Sequence, residues 1–204
     1  MELTEEISTV ADDDLHQNGL KTEMREQVLA RRSILASQDR VDAADVAAKH
    51  FLDEIQIDSG MCIAAYWPIR DEIDCRPLLI SLMDSMHSVC LPMVMGDEVP
   101  LEFRLWEAGA PLYPAGFGTL APAETAPTVE PDLIIIPLLG FDQFGTRLGY
   151  GKGYYDRTIA GMDKNPTLVG YAYSVQELEN IPRETHDIPL DYVVTEIGVR
   201  RFGK

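Results

Sequence analysis

The chain has 204 residues, enough for one domain with a substantial core, and its 46% hydrophobic and 25% charged residues are ordinary for a soluble globular protein. A formal net charge of −17 argues against nucleic acid as a partner, because phosphate has to be met by many lysines and arginines. No apolar run approaches bilayer length, the acidic N-terminus lacks the basic-then-apolar order of a signal peptide, and three cysteines without C-x-x-C spacing fit neither a disulfide nor a zinc framework, so a cytoplasmic protein without a membrane partner is expected.

Residues 1–19 carry Glu2, Glu5, Glu6, Asp12, Asp13 and Asp14 with no lysine or arginine before Lys21, which predicts a solvated, disordered acidic tail. Residues 20–37 read as a helix on the spacing of Leu20, Met24, Val28 and Leu35, and this helix is rich in Lys21, Arg25, Arg31 and Arg32. A second helix is expected from about Asp42 to Ile55, with Val46, Phe51, Leu52 and Ile55 inward. Met61–Trp67 suits a buried strand ended by Pro68, Arg76–His87 a helix packed through Leu78, Leu79, Leu82 and Met86, and Ser88–Val94 a second strand. Leu101–Trp106 alternates apolar and polar residues like a strand with one wet face. Gly109–Pro131 is rich in Pro, Gly and Ala and reads as a long loop, a feature that is often functional in a compact domain. Leu133–Ile136 is the clearest strand, and after it come a helix at 154–162, a strand at Thr167–Ala172, a helical turn near Gln176–Asn180, a strand at Tyr192–Thr195 and an edge strand at Val199–Phe202. Strands alternating with helices predict an α/β fold, one three-layer domain over residues 20–204 with a mostly parallel central sheet flanked by helices. Ligands in such folds gather beyond the carboxyl ends of the strands.

Directly after the clearest strand stands the segment Gly145-Thr146-Arg147-Leu148-Gly149-Tyr150-Gly151-Lys152-Gly153-Tyr154-Tyr155-Asp156-Arg157. Glycine lets the main chain come close to a polyanion, and free N–H groups with Arg147 and Lys152 would meet phosphate charge. Two common nucleotide motifs fail here. Lys152 is followed by Gly153 rather than Ser or Thr, and Tyr154 occupies the third glycine of a dinucleotide fingerprint. The competing reading is a flexible linker, and the flanking strand together with Arg, Lys, Tyr and Asp argues against it.

The pattern Gly145-x-Arg147-Leu148-Gly149-x-Gly151-x-Gly153-Tyr154-Tyr155-Asp156 closely resembles the signature of the 5-formyltetrahydrofolate cyclo-ligase family. Further pieces resemble that family in the same order: Lys21-x-x-x-Arg25, Tyr66-Trp67-Pro68 followed by Asp71-Glu72-Ile73-Asp74, Pro137 to Asp142, and His186-Asp187 with Leu190 to Thr195. One departure is plain: Ala121-Pro122 stands where the family has Glu-Pro after Gly116-Phe117-Gly118. The resemblance implies an ATP-dependent ring closure of 5-formyltetrahydrofolate to 5,10-methenyltetrahydrofolate, with release of ADP and phosphate, through a phosphorylated formyl (iminium phosphate) intermediate. It implies two small-molecule substrates, ATP and a reduced folate, with Mg²⁺; a monomer is expected.

On that resemblance, Lys21 and Arg25 reach the ATP phosphates from an exposed face of the first helix. Gly145, Leu148, Gly149, Tyr150, Gly151, Gly153 and Tyr154 form the nucleotide loop, Arg147 and Lys152 neutralise the transferring group, and Asp156 holds Mg²⁺. Asp156 also suits its own helix N-terminus. Glu72 can accept two N–H donors of a pterin side by side, with Tyr66, Tyr154 and Phe117 as its walls. Trp67 and Trp106 read as core or rim residues, and Tyr113, Phe117 and Gly118 as a cover. His186 and Asp187 are adjacent in a loop, where neighbours generally point apart, so a structural role is expected. The alternatives are a same-fold ATP-dependent enzyme acting on another amide or carboxylate, and a non-catalytic folate- or nucleotide-binding module.

Overall fold

The computed structural model of the protein describes residues 19–185 and 187–203. Most of the expected tail, and His186, therefore lie outside the described residues; Gly19 is already helical. The first helix, α1, covers residues 19–33 and stops four residues earlier than its apolar spacing predicts. Ala36 is extended, and α2 begins at once, spanning Ser37–Glu54. Arg40 on α2 closes the break by donating from Nε to the Leu35 carbonyl and from Nη2 to the Arg32 carbonyl. Carbonyls left over at a helix end find a donor this way.

The inward face of α2 also differs from expectation. Val46 and Leu52 are exposed, and the buried stripe is Ala43, Ala44, Ala47, Ala48 and Phe51. Small residues at helical spacing let the helix sit close on its neighbours, and Phe51 fills the gap at its end. The strand β1 (Cys62–Ala64) leads to α3 (Arg76–Asp84), which starts with Pro in its first turn and buries Leu78, Leu79 and Leu82, while Met86 lies outside the helix and is exposed. The strands β2 (Ser88–Met93) and β3 (Glu102–Leu105) follow.

The segment 109–131, expected as structureless loop, contains a short hairpin of β4 (Tyr113–Pro114) and β5 (Leu120–Ala121). Next come β6 (Leu133–Pro137), a second hairpin of β7 (Gly140–Phe141) and β8 (Arg147–Leu148), and α4 (Tyr154–Ala160). The strands β9 (Thr167–Tyr171), β10 (Tyr192–Thr195) and β11 (Gly198–Arg201) complete the sheet, with a single 3₁₀ turn at Ser174–Gln176.

Seven strands form the main sheet in the order β11-β10-β9-β6-β1-β2-β3. The five inner strands run parallel, and β3 and β11 close the two edges antiparallel. Leu133 and Ile135 join the core shared with α2 and α3, whereas Ile134 and Ile136 join the opposite core with Tyr155 and Ile159 of α4. Strand alternation thus builds the three layers, and a strand covered on both faces reads as the unbroken apolar run seen in β6. Cys62 and Cys90 sit on the α4 side as free thiols, Sγ atoms 3.6 Å apart, Cys90 buried and Cys62 half-buried. The chain passes from β1 to β2 on one side and later takes β6 on the other, so the sheet changes winding direction between β1 and β6.

The β7–β8 hairpin is held by buried polar groups. Asp142 is fully buried; its Oδ1 accepts the N–H groups of Phe144 and Thr146, and its Oδ2 accepts that of Ile181. Gln176 donates from Nε2 to the carbonyls of Leu138 and Leu139 and accepts the Tyr173 N–H. Asp142→Ala orphans two buried donors and one half-buried donor, so thermal or urea unfolding should show a loss of about 3 kcal/mol or more. Asp142→Asn, which keeps one acceptor oxygen, should lose less.

Candidate active site

A cavity of about 520 Å³ opens at the carboxyl ends of β1, β2 and β6, beside the change in winding direction. This is the size and position of a small-molecule site in a doubly wound fold. Its walls come from α1, the loop after β1, the ends of β2 and β6, Leu101, the β4–β5 hairpin, the glycine turn from Arg147 to Asp156, and the segment that carries Glu184 and Asp187.

The loop after β1 brings Tyr66 and Glu72. Tyr66 is almost fully buried and donates its hydroxyl to the Ile73 carbonyl at 2.7 Å, so it presents only part of its ring to the cavity. Glu72 is tied at both oxygens: Oε2 accepts the Ile69 N–H at 3.0 Å, and Oε1 accepts the Tyr150 hydroxyl at 3.2 Å. Burial raises the Glu72 carboxyl above its ordinary value, against the opposing pull of the Ile69 N–H, Arg32 and Tyr150. Arg70, between them, adopts φ 55° at the cavity wall, an uncommon conformation for a non-glycine residue.

The glycine segment was expected as strand, loop and helix. The strand before it and the helix after it are as expected, but the loop is a hairpin whose second strand runs into a turn, because the Asp142 carboxylate folds residues 142–146 back on themselves. Gly145 belongs to that fold-back and does not line the cavity; a Cβ there would fall 2.8 Å from Phe202. Leu148 is buried in the cavity wall, and Gly149, Tyr150, Gly151, Lys152 and Gly153 follow it along the rim. Gly149 has open space where a side chain would stand, and Gly151, at φ 92°, is backed by Arg25.

The cations are already engaged. Lys21 was expected on an exposed helix face, yet it is 8% exposed, with Nζ 2.6 Å from Glu184 and 3.3 Å from Asp187. The reason lies far along the chain, where the segment after the 3₁₀ turn brings two carboxylates across α1. Arg25 donates from Nε to the Gly149 carbonyl at 2.9 Å and so clips α1 to the turn. Arg147 donates to Asp156 and to the Ile188 carbonyl, and burial lowers its pKa, opposed by Asp156 and Asp187. Asp156 takes Arg147 and the Ile188 N–H on Oδ1. Lys152 is largely exposed, 3.6 Å from Asp97 and over the Phe117 ring. Tyr154 stacks obliquely on Phe117 at 5.9 Å and donates its hydroxyl to the Gly96 carbonyl.

Phe117 sits at the tip of the β4–β5 hairpin with φ 50°, where it borders the cavity. Ala121 is fully buried in β5, pairs with Tyr113 and does not line the cavity. Trp67 and Trp106 pack edge to face at 5.8 Å, and only Trp67 reaches the cavity. Asp187, expected to be structural, lines the site, and so do Glu184 and Arg70, which sequence reasoning left aside. Arg32 was seen only as one more cation of the first helix. It is fully buried, 2.7 Å from Asp71 and 3.4 Å from the Tyr150 hydroxyl. Among the described residues, no group of three or more His, Cys, Asp or Glu forms a metal cluster.

Fold and site together define a class: an α/β protein with a cleft at its winding switch point, walled by a glycine turn and by cations held by carboxylates. Residues 17–196 match the 5-formyltetrahydrofolate cyclo-ligase family. The chain is 31% identical to the 5-formyltetrahydrofolate cyclo-ligase of Haemophilus influenzae over 176 residues, covering 83% of this chain and 94% of that one. It is likewise 31% identical to the cyclo-ligase of Mycolicibacterium smegmatis over 183 residues, covering 86% and 93%. The fold superimposes on the 5,10-methenyltetrahydrofolate synthetase of Aquifex aeolicus with a TM-score of 0.79 at 34% identity, covering 91% of this chain and 94% of that one. The chain belongs to the 5-formyltetrahydrofolate cyclo-ligase family.

Proposed function

We propose that this protein closes the ring of 5-formyltetrahydrofolate to 5,10-methenyltetrahydrofolate, using ATP and releasing ADP and phosphate. The observation that carries this reading is the meeting, across one cavity, of the glycine turn with the Glu72 loop, joined by the Tyr150 hydroxyl. One side suits phosphate and the other a ring with N–H donors.

An N5-formyl group is an amide, with an unreactive carbon and a poor leaving oxygen. Phosphorylating that oxygen makes the carbon electrophilic and turns the oxygen into a leaving phosphate, after which N10 of the same folate attacks that carbon, gives up its proton to solvent and, as phosphate departs, completes the ring. The protein's part is to align the formyl oxygen with the γ-phosphorus at about 3–3.5 Å and to offset charge on the phosphoryl oxygens. In this reading Gly149–Gly153 lines the triphosphate, Lys152 and Arg147 neutralise it, and Arg25 holds the turn in register. Lys21 joins them as phosphate draws it from Glu184 and Asp187. Glu72 accepts pterin N–H groups, with Tyr66, Tyr154 and Phe117 as walls. Mg²⁺, when bound, supplies further charge neutralisation to the phosphates. Asp156 would hold it, together with phosphate oxygens and water, as Mg²⁺ prefers.

The net charge of −17 leaves two small molecules, rather than nucleic acid, as the partners we propose, with one local basic turn to receive them. No helix among the described residues is long and apolar enough to cross a membrane. We place the protein in the cytoplasm as a monomer with a single catalytic domain. Purified protein mixed with MgATP and 5-formyltetrahydrofolate should generate the methenyl chromophore in the near ultraviolet. Absence of that absorbance, with folded protein and both substrates present, sinks the reading.

A further inference from the structure

Arg32 is a buried cation for which the ring closure above has no use. Its side chain has no exposure, and its Nε finds no hydrogen-bond partner. A buried charge with a spare donor is expensive, and an apolar residue would fill the same space at lower cost. What the guanidinium does provide is geometry. Nη2 holds Asp71, one residue before Glu72, and Nη1 donates to the Tyr150 hydroxyl, which in turn donates to Glu72. Three separate parts of the site therefore meet on one side chain: α1, the loop after β1 and the glycine turn.

We propose that Arg32 is a positioning residue for the folate half of the site, acting through Tyr150 and Asp71 to fix the Glu72 carboxylate against the glycine turn. The inference rests on the reading of Glu72 as the pterin anchor. Several groups face Glu72 from the elements around it. Asp71 and Tyr66 belong to its own loop and strand, Cys75 follows it, Tyr155 comes from α4, Tyr150 from the turn, and the Tyr173 hydroxyl reaches its carbonyl. Arg32 is the cation of that set. Burial raises the Glu72 pKa and Arg32 lowers it, so removing Arg32 raises it further and protonates the carboxylate at higher pH.

The test compares steady-state kinetics of Arg32→Met, Arg32→Lys, Tyr150→Phe and the Arg32→Met/Tyr150→Phe double variant across pH. Arg32→Met should raise KM for 5-formyltetrahydrofolate about tenfold or more, change KM for ATP less than about threefold, and move the acid limb of kcat/KM upward. Arg32→Lys, which keeps the charge without the fork, should restore the acid limb but not KM. Tyr150→Phe should move the same readouts in the same direction, and the double variant should be no worse than Arg32→Met alone. Equal changes in both KM values with an unmoved acid limb, or additive effects in the double variant, overturn the proposal. Should Arg32→Met fail to fold, Tyr150→Phe decides, because Tyr150 is 39% exposed and its loss leaves the core intact. A wild-type protein without turnover defeats the cyclo-ligase reading; an active wild type with a silent Tyr150→Phe defeats only the Arg32 proposal.

Discussion

Lys152→Ala is expected to lower kcat by about 10²–10³ while leaving the melting temperature nearly unchanged, as loss of one preorganised charge at a reacting oxyanion does. The separation of effects follows from where Lys152 sits. Its side chain is 58% exposed, its ion pair with Asp97 spans 3.6 Å between two exposed groups, and its contact with Phe117 is at the rim. An exposed pair is worth about 0–1 kcal/mol, and a kcal/mol moves the transition of a chain this size by about 2–4 °C. The largest thermal change is therefore a few degrees. In the proposed reaction the effect is different, because charge spreads over the transferring phosphoryl oxygens at the transition state and Lys152, on the glycine turn, would offset it. Arg147 cannot be tested as cleanly. Its guanidinium is largely buried and tied to Asp156 and Ile188, so its removal also exposes a gap in the fold. Wild-type kcat in Lys152→Ala would remove this residue from the mechanism.

The contrast between Lys152 and Arg147 also shows what the amino-acid sequence discloses. Both stood in the same glycine-rich stretch and read as equivalent phosphate cations. Their difference arises from Ile188 and Asp156, and the first of these contacts spans 41 positions. The seven strands of the main sheet were legible, because a buried strand writes itself as an apolar run and a half-wet one as alternation. The two small hairpins were not, since strands of two residues have no period to detect. The glycine segment looked like an open loop after a strand. Its fold-back is set by side-chain-to-main-chain bonds from Asp142, a signal of the aspartate-turn kind that hydrophobic periodicity does not register.

Local spacing misled in α2 for a related reason. Counting large apolar residues chose Val46 and Leu52, while the helix buries its alanines, because close packing on the sheet favours small side chains there. Arg32 escaped notice beside Arg31, an identical residue that does something else: Arg31 donates to the Glu177 carbonyl, and Arg32 turns inward to Asp71. A full turn of helix phase relative to Val28 and Leu35 was the available hint, since Arg32 lies four residues after the fully buried Val28. Lys21 stands in the same row of turns, and its burial depends on Glu184 and Asp187, more than 160 positions away. Charge on a helix face was legible; which charge was buried was not.

The glycines of the signature are expected to divide into two kinds, and substituting alanine should expose the division. Gly145→Ala should cost about 2–5 kcal/mol, from overpacking and from a left-handed backbone that alanine disfavours. Its Cβ would stand 2.8 Å from Phe202 Cγ and 3.0 Å from the Leu190 carbonyl oxygen, at φ 80°. The Phe202 ring could yield, but the Leu190 carbonyl is main chain, and the Leu190 N–H is bonded to the Gly145 carbonyl, so the two segments move together or not at all. A fall in melting temperature of about 5–15 °C is the corresponding shift. Gly149→Ala should behave in the opposite way. Nothing lies within 4 Å of its would-be Cβ, so the fold tolerates it, with a gain of about 0.4–1 kcal/mol where the unfolded chain loses freedom. The added methyl stands instead at the cavity rim, beside the carbonyl that Arg25 holds, where close approach of a triphosphate needs the space. KM for ATP should rise about tenfold or more, with KM for the folate moving less. A thermally unaltered Gly145→Ala would show that the Phe202 contact is not a constraint. A Gly149→Ala enzyme with wild-type ATP kinetics would show that phosphate does not lie against this part of the turn, and the assignment of the glycine segment to the nucleotide would then fail.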